Sequence, residues 1–153
     1  MIITATGHRP NKLGGYSPQA FNNLCRVARD YLREMNPEGV ISGLALGWDQ
    51  AWAVSAMELG IPVHGAAPFE GQESQWPESS QWLYRKLIAE CASMTYVCEP
   101  GYAAWKMQKR NEWMVERCHR VAALWDGSSG GTANCVKFAQ AYPRDIDNLW
   151  DRL

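Results

Sequence analysis

Three features of the 153-residue chain predict an α/β fold. Five short apolar, β-branched runs alternate with longer stretches whose apolar residues recur at helical spacing, the pattern of parallel strands joined by crossover helices. Several runs end in small-residue loops, rich in glycine, that lead directly into a helix. Right-handed crossovers then carry every strand-to-helix loop to the same C-terminal edge of the sheet. The expectation is a single Rossmann-like domain over residues 1–153, with a mainly parallel five-stranded sheet and helices on both faces.

The first strand is Met1 to Thr6, short and β-branched, and it stops at Gly7-His8-Arg9-Pro10. Ser17-Pro18 starts a helix, with serine as cap and proline at the first helical position. Phe21, Leu24, Val27, Ala28, Tyr31, Leu32 and Met35 share one helical face, and Asn36-Pro37 ends it. Gly39 to Gly43 is the second strand and its exit. The run Ser42 to Asp49 is again strand, small-residue loop and helix, the helix continuing through Leu59-Gly60.

Ile61 to Ala67 is the third strand, with Pro62 near its start, where a missing N–H is tolerated. Pro68 to Pro77 is a polar and aromatic loop of a length that usually carries function. Glu78 to Cys91 reads as helix, with Trp82, Leu83, Leu87 and Ile88 at core spacing. Met94 to Cys98 is the fourth strand, and Glu99-Pro100-Gly101-Tyr102 turns into a helix running to about Cys118. Val121 to Trp125 is the fifth strand, Gly131 to Tyr142 the last long helix, and Asp145 to Leu153 a short closing helix.

Bulk properties narrow the function. Lys and Arg number 15 against 16 Asp and Glu, a net charge of -1, which gives no electrostatic case for nonspecific nucleic-acid or anionic-membrane binding. No apolar run approaches the ~20 residues of a spanning helix, and Met1-Ile-Ile-Thr lacks a basic leader, so a cytoplasmic location is expected. The five cysteines have no close pair and no helpful histidine, so they read as reduced core thiols, with neither metal nor cofactor expected. Eight tryptophans suit a base-stacking pocket or a contact between copies, and a homo-oligomer, dimer or larger, is expected.

The stretch Val121 to Thr132 concentrates the chemistry. An apolar strand meets Asp126 and then small residues, and Gly130-Gly131-Thr132 opens a helix. Backbone N–H groups and the positive end of the helix dipole then converge on one spot, which glycine lets a phosphate approach. No G-x-G-x-x-G sequence is present, so a dinucleotide cofactor site is not supported.

Five motifs follow one another along the chain. They are Gly7-His8-Arg9; Ser42-Gly43-x-Ala45-x-Gly47-x-Asp49; Gln72-Glu73-x-x-Trp76; Arg110-Asn111-x-Trp113-Met114-Val115; and Trp125-Asp126-Gly127-x-x-Gly130-Gly131-Thr132. Together they resemble the SLOG superfamily, and within it the YpsA-like branch, related to the DprA core and the LOG-type phosphoribohydrolases. The resemblance implies a Rossmann-like domain binding a nucleotide or a nucleotide-derived ligand through these motif residues.

The physical chemistry of the residues agrees. Gly130, Gly131 and Thr132 would hold a phosphate by backbone N–H and hydroxyl contacts, with Arg110 as a bidentate clamp. Asp49 and Asp126 suit ribose hydroxyls, although Asp49 equally suits a helix cap. Phe69, Trp76 or Trp48 would stack on a base or pack in the core. His8 is a ligand contact or a loop imidazole, and Arg9 a ligand contact or the partner of a structural carboxylate. The basic run Lys106 to Arg110 is an anion-facing surface or a solvated helix face.

One departure stands out. The LOG-type motif P-G-G-x-G-T-x-x-E places a glutamate where this chain has Cys135. Cleaving an N-glycosidic bond needs a carboxylate to activate a nucleophile or steady positive charge, so another would have to serve: Asp49, Glu73, Glu112 or Asp126. The first reading is therefore a protein that senses or sequesters a nucleotide-derived signal of ADP-ribose type, a role that SLOG-like domains have in bacterial and phage conflict. The alternative is an N-glycosidase or phosphoribohydrolase acting on a nucleoside phosphate. A DNA-handling module, by analogy with DprA, is the third reading, and the near-neutral charge disfavours it.

Overall fold

The computed structural model describes residues 1–153. Its strands are β1 (Ile2–Gly7), β2 (Gly39–Ser42), β3 (Val63–Ala67), β4 (Ser93–Tyr96), β5 (Arg120–Leu124) and β6 (Asp145–Asn148). Its helices are α1 (Pro18–Met35), α2 (Trp48–Glu58), α3 (Glu78–Glu90), α4 (Ala104–Glu116) and α5 (Gly131–Ala141), with short 3-10 turns at Pro10–Lys12 and Trp150–Arg152. The six strands form one sheet in the order β4-β3-β2-β1-β5-β6, and every neighbouring pair is parallel. No helix is long and apolar enough to cross a membrane.

The order reverses direction at β1. From β1 the chain moves outward through β2, β3 and β4, then returns across the sheet to β5 and on to β6. Right-handed crossovers put α1, α2 and α3 on one face and α4 and α5 on the other. The first face holds the larger core, 22 buried residues against 8 on the second.

Local sequence accounts for most elements. Ser17 caps α1, its Oγ accepting from the Ala20 N–H at 3.1 Å, and Asn36 closes the helix in the left-handed conformation (φ 46°). The face Leu24, Val27, Ala28, Tyr31 and Leu32 is buried, each leucine or valine side chain contributing about 1.5–3 kcal/mol. Helix α2 lies pressed between sheet and helices, with Ala51, Ala53 and Ala56 wholly buried beside Trp48 and Trp52. Trp48 is therefore core rather than a stacking surface, and its indole N–H donates to the Ala122 carbonyl at 3.1 Å.

The sheet has six strands, not five. The closing helix expected over Asp145 to Leu153 is strand β6 followed by a single 3-10 turn. Asp-Ile-Asp-Asn is a poor strand sequence by propensity. Tertiary contacts override it, because β5 offers a free edge along Arg120 to Ala123. Arg120 also pairs with Asp147 at 3.1 Å and Asp145 at 3.5 Å, while the Tyr31 hydroxyl donates to Asp147 at 2.7 Å.

Candidate functional site

The loops leaving β1 and β5 part at the point where strand order reverses, the place where open α/β sheets leave a crevice. A cleft of about 250 Å3 lies there, between Thr6 to Arg9 on one side and Ser129 to Thr132 on the other. Asp49, Met107 and Asn111 also line it, together with Asn11 and Lys12. A second hollow of about 890 Å3 runs under the 69–76 loop, and Arg9 and Met107 line both.

Two requirements account for most of the glycines around the cleft. A Cβ on Gly7 would stand 2.6 Å from the Trp48 ring, and one on Gly43 would stand 2.5 Å from Arg110 Nη1 and 2.8 Å from Asp49 Oδ2. These two are glycine because the core behind them is full. Gly47, Gly127 and Gly130 have φ of 92°, 92° and 137°, a region that other residues adopt only under strain. Gly131 has neither reason. It opens α5, lines the cleft, and a Cβ there would meet nothing within 4 Å.

Cations at the mouth come from the first loop. Arg9 is exposed, lines both hollows and enters none of the protein's ion pairs. Lys12 reaches across to donate to Ser128 Oγ at 2.8 Å. Ser128 in turn donates from its N–H to Asp126 Oδ1 at 2.8 Å and from its hydroxyl to the same oxygen. His8 Nε2 lies 2.8 Å from that oxygen, so one chain of contacts ties the two loops together. The Ser128 hydroxyl and N–H, then His8, hold the Asp126 carboxyl far below the usual carboxylate range. These contacts occupy Asp126 in closing the loop, and the residue does not line the cleft.

Arg110, expected as a bidentate clamp, is not among the residues that line the cleft. Only 4% exposed, it lies beneath the cleft, where Nη1 donates to the carbonyls of Gly43 at 2.9 Å and Ala66 at 3.1 Å. Its Nε donates to Asn111 Oδ1 at 3.0 Å, which fixes the amide that does line the cleft. Asp49 lies beside it in the second residue of α2. Burial pushes the Asp49 carboxyl up, against the pull of Arg110 and Arg9.

Ser42 is wholly buried, its Oγ donating to the Asp49 carbonyl at 2.8 Å and accepting from the Leu44 N–H, so it serves the loop and not the cleft. Cys135 is fully buried behind Thr132. Burial pushes its thiol up to about 11, with Thr6 and Arg110 opposing. Phe69, Gln72 and Trp76 all line the second hollow. Sequence reasoning passed over Asn11, Lys12, Met107 and Tyr102. The loop after β4 reaches the same sheet edge by topology, and that rule alone would have pointed to Tyr102.

The YpsA model, described as the YspA SLOG family, matches residues 3–146, and the chain belongs to that family. It is 30% identical over 135 residues to the uncharacterized SPbeta prophage-derived protein YoqJ of Bacillus subtilis, covering 78% of this chain and 79% of that one. A UPF0398 protein of Shouchella clausii is 27% identical over 143 residues, covering 85% and 76%. Among solved structures, DNA processing protein A (DprA) of Streptococcus pneumoniae superposes with a TM-score of 0.69 at 19% identity, over 94% of this chain but only 48% of its own. The Helicobacter pylori DprA, described for its single-stranded DNA binding mode, gives 0.70 at 16% identity over 95% and 63%. The protein TM1055 gives 0.61 at 16% over 95% and 71%. At these identities the structures share the fold; this chain spans about half of the first.

Proposed function

We propose that this member of the YspA SLOG family binds a nucleotide-derived small molecule in the cleft between the β1 and β5 loops and senses or sequesters it. The observation that carries the reading is Gly131. Neither backbone conformation nor packing requires a glycine there, and its bare face opens on the cleft at the head of α5. A phosphate at this point accepts from the N–H groups of the helix start and from the Thr132 hydroxyl, and it neutralises Arg9 and Lys12. The family assignment and the prophage origin of one relative agree with an ADP-ribose-like signal met in conflict between bacteria and phage.

A second reading is N-glycosidase chemistry, and one observation favours it: Asp49 is a buried carboxyl lining the cleft, with its proton affinity raised by burial. Against it, Cys135 is a sealed, protonated thiol that can neither activate water nor balance positive charge.

Calorimetric titration with AMP and ADP-ribose tests the first reading. Arg9→Ala removes an exposed guanidinium without touching the core, and it should weaken both ligands about 10- to 150-fold, the worth of a charged hydrogen-bonding partner. Equal affinity in parent and variant would remove the cleft mouth from the site.

A further inference from the structure

We propose that the β4 edge of the sheet docks on the same edge of a second copy of this chain, joining two six-stranded sheets into one. No residue from Ser93 to Tyr96 lines the cleft or the hollow beside it, so the seam owes nothing to what they bind.

The two edges of the sheet are built differently. At β6 the strand is Asp145-Ile146-Asp147-Asn148, and charge of this kind guards an edge against pairing with another strand. At β4 the strand is Ser93-Met94-Thr95-Tyr96, with neither charge nor proline. Ser93 and Tyr96 are exposed, and Met94 and Thr95 partly so.

The backbone shows which groups are open. The Ala92 N–H donates to the Val63 carbonyl at 2.8 Å, and Met94 lies opposite Gly65 in the ladder. Successive residues of a strand turn their polar groups to opposite sides, so Ser93 and Thr95 direct both N–H and C=O away from β3. No strand lies beyond β4 to meet them. On either side the donors are engaged: Cys91 N–H with the Leu87 carbonyl, and Val97 N–H with that of Ala67, both at 3.0 Å.

These open groups select the partner and the register. A two-fold axis at Met94 runs the copies antiparallel and sets Ser93 of each opposite Thr95 of the other. Every open N–H then donates to an open carbonyl. An axis at Ser93 or Thr95 pairs only half of them, because Cys91 and Val97 have no N–H to give. The Met94 register opposes no like charges, since Cys91 to Cys98 carries no acidic or basic residue. It also brings Tyr96, 41% exposed, opposite Ala92 of the second copy. A two-fold contact closes on itself, whereas β4 against β6 of a copy would extend without end and draw carboxylates to the seam. The joined sheets run in opposite directions, so their two clefts face opposite ways and each works alone.

Light scattering across a concentration series should show the mass rising from one chain to two and no further. Thr95→Pro removes an outward N–H, a change that an edge strand tolerates. Thr95→Lys keeps the backbone and adds charge to the edge. Both variants should stay monomeric throughout, with a cooperative unfolding transition as the check on folding. Met94→Cys reads the register. Opposed residues of a non-hydrogen-bonded pair have Cα atoms about 4.5 Å apart, within reach of a disulfide, so mild oxidation should give a covalent dimer. Thr95→Cys sets its two thiols two positions out of step, beyond the ~7 Å that a disulfide spans, and should give none, like the parent with its five free cysteines. A parent that stays monomeric, or whose mass climbs past two chains, overturns the proposal. So does a dimer that survives both Thr95→Pro and Thr95→Lys, or a Thr95→Cys variant that cross-links as readily as Met94→Cys.

Discussion

Replacing Gly131 by alanine should separate binding from stability. The residue opens α5, its backbone lies outside the left-handed region, and an added Cβ meets nothing within 4 Å. Alanine is favoured over glycine in a helix by about 0.5–1 kcal/mol, less at a first turn, so the variant should keep its melting temperature or gain up to about 3 °C. The new methyl occupies cleft volume between a phosphate and the backbone N–H groups. Losing one charge-assisted hydrogen bond costs about 1.5–3 kcal/mol, or about 10- to 150-fold in the dissociation constant for AMP. Gly130→Ala is the contrast. Its φ of 137° strains any side chain, so that variant should lose about 1–3 kcal/mol of stability. Scanning calorimetry and ligand titration read the two quantities separately. A folded Gly131→Ala protein with parental affinity would refute the placement of the phosphate.

The buried polar pair behind the cleft gives two further predictions. Arg110→Ala leaves the Gly43 and Ala66 carbonyls without their donor and removes the charge that faces Asp49, and it should lower stability by about 3–5 kcal/mol, with Arg110→Lys intermediate. Loss of AMP binding with an unchanged unfolding transition would instead return Arg110 to direct ligand contact. Asp49 titrates the other way from a paired carboxylate. Its folded pKa is raised, so its favourable contribution is complete below the unfolded value of about 4 and is lost as pH rises through the folded value. Asp49→Asn removes the ionising group. The variant should match the parent in acid and exceed it in stability at neutral pH, as urea unfolding at several pH values would show; a variant less stable than the parent at pH 7 and equal to it at pH 4 contradicts the sign.

Periodicity and punctuation made most of the fold legible. Ser17-Pro18 and Asn36-Pro37 bound α1 within a residue, and the small-residue exits of β1, β2 and β5 mark the edge where the cleft lies. Strand β6 was hidden because Asp145 to Asn148 has no strand propensity of its own; the β5 edge and Arg120 impose it. In the site, the residue types were readable but their depth was not. The motifs put Arg110 and Ser42 near the C-terminal edge of the sheet, yet only packing tells that both face inward to hold loops. Arg9 was open to either reading from sequence; its exposed guanidinium enters no ion pair and lines both hollows. Tyr102 was missed because an isolated tyrosine in a turn carries no periodic signal.

If the cleft only binds, the protein holds its ligand and returns it unaltered. Micromolar protein is incubated with AMP, ADP-ribose and cyclic ADP-ribose isomers, freed of unbound ligand, denatured, and its supernatant chromatographed. At least one of these compounds should stay with the protein and be recovered intact, because the buried thiol of Cys135 stands where a hydrolase needs a carboxylate. Recovery of free base or ribose phosphate, abolished in Asp49→Asn, would contradict it and make this cleft the active site of an N-glycosidase.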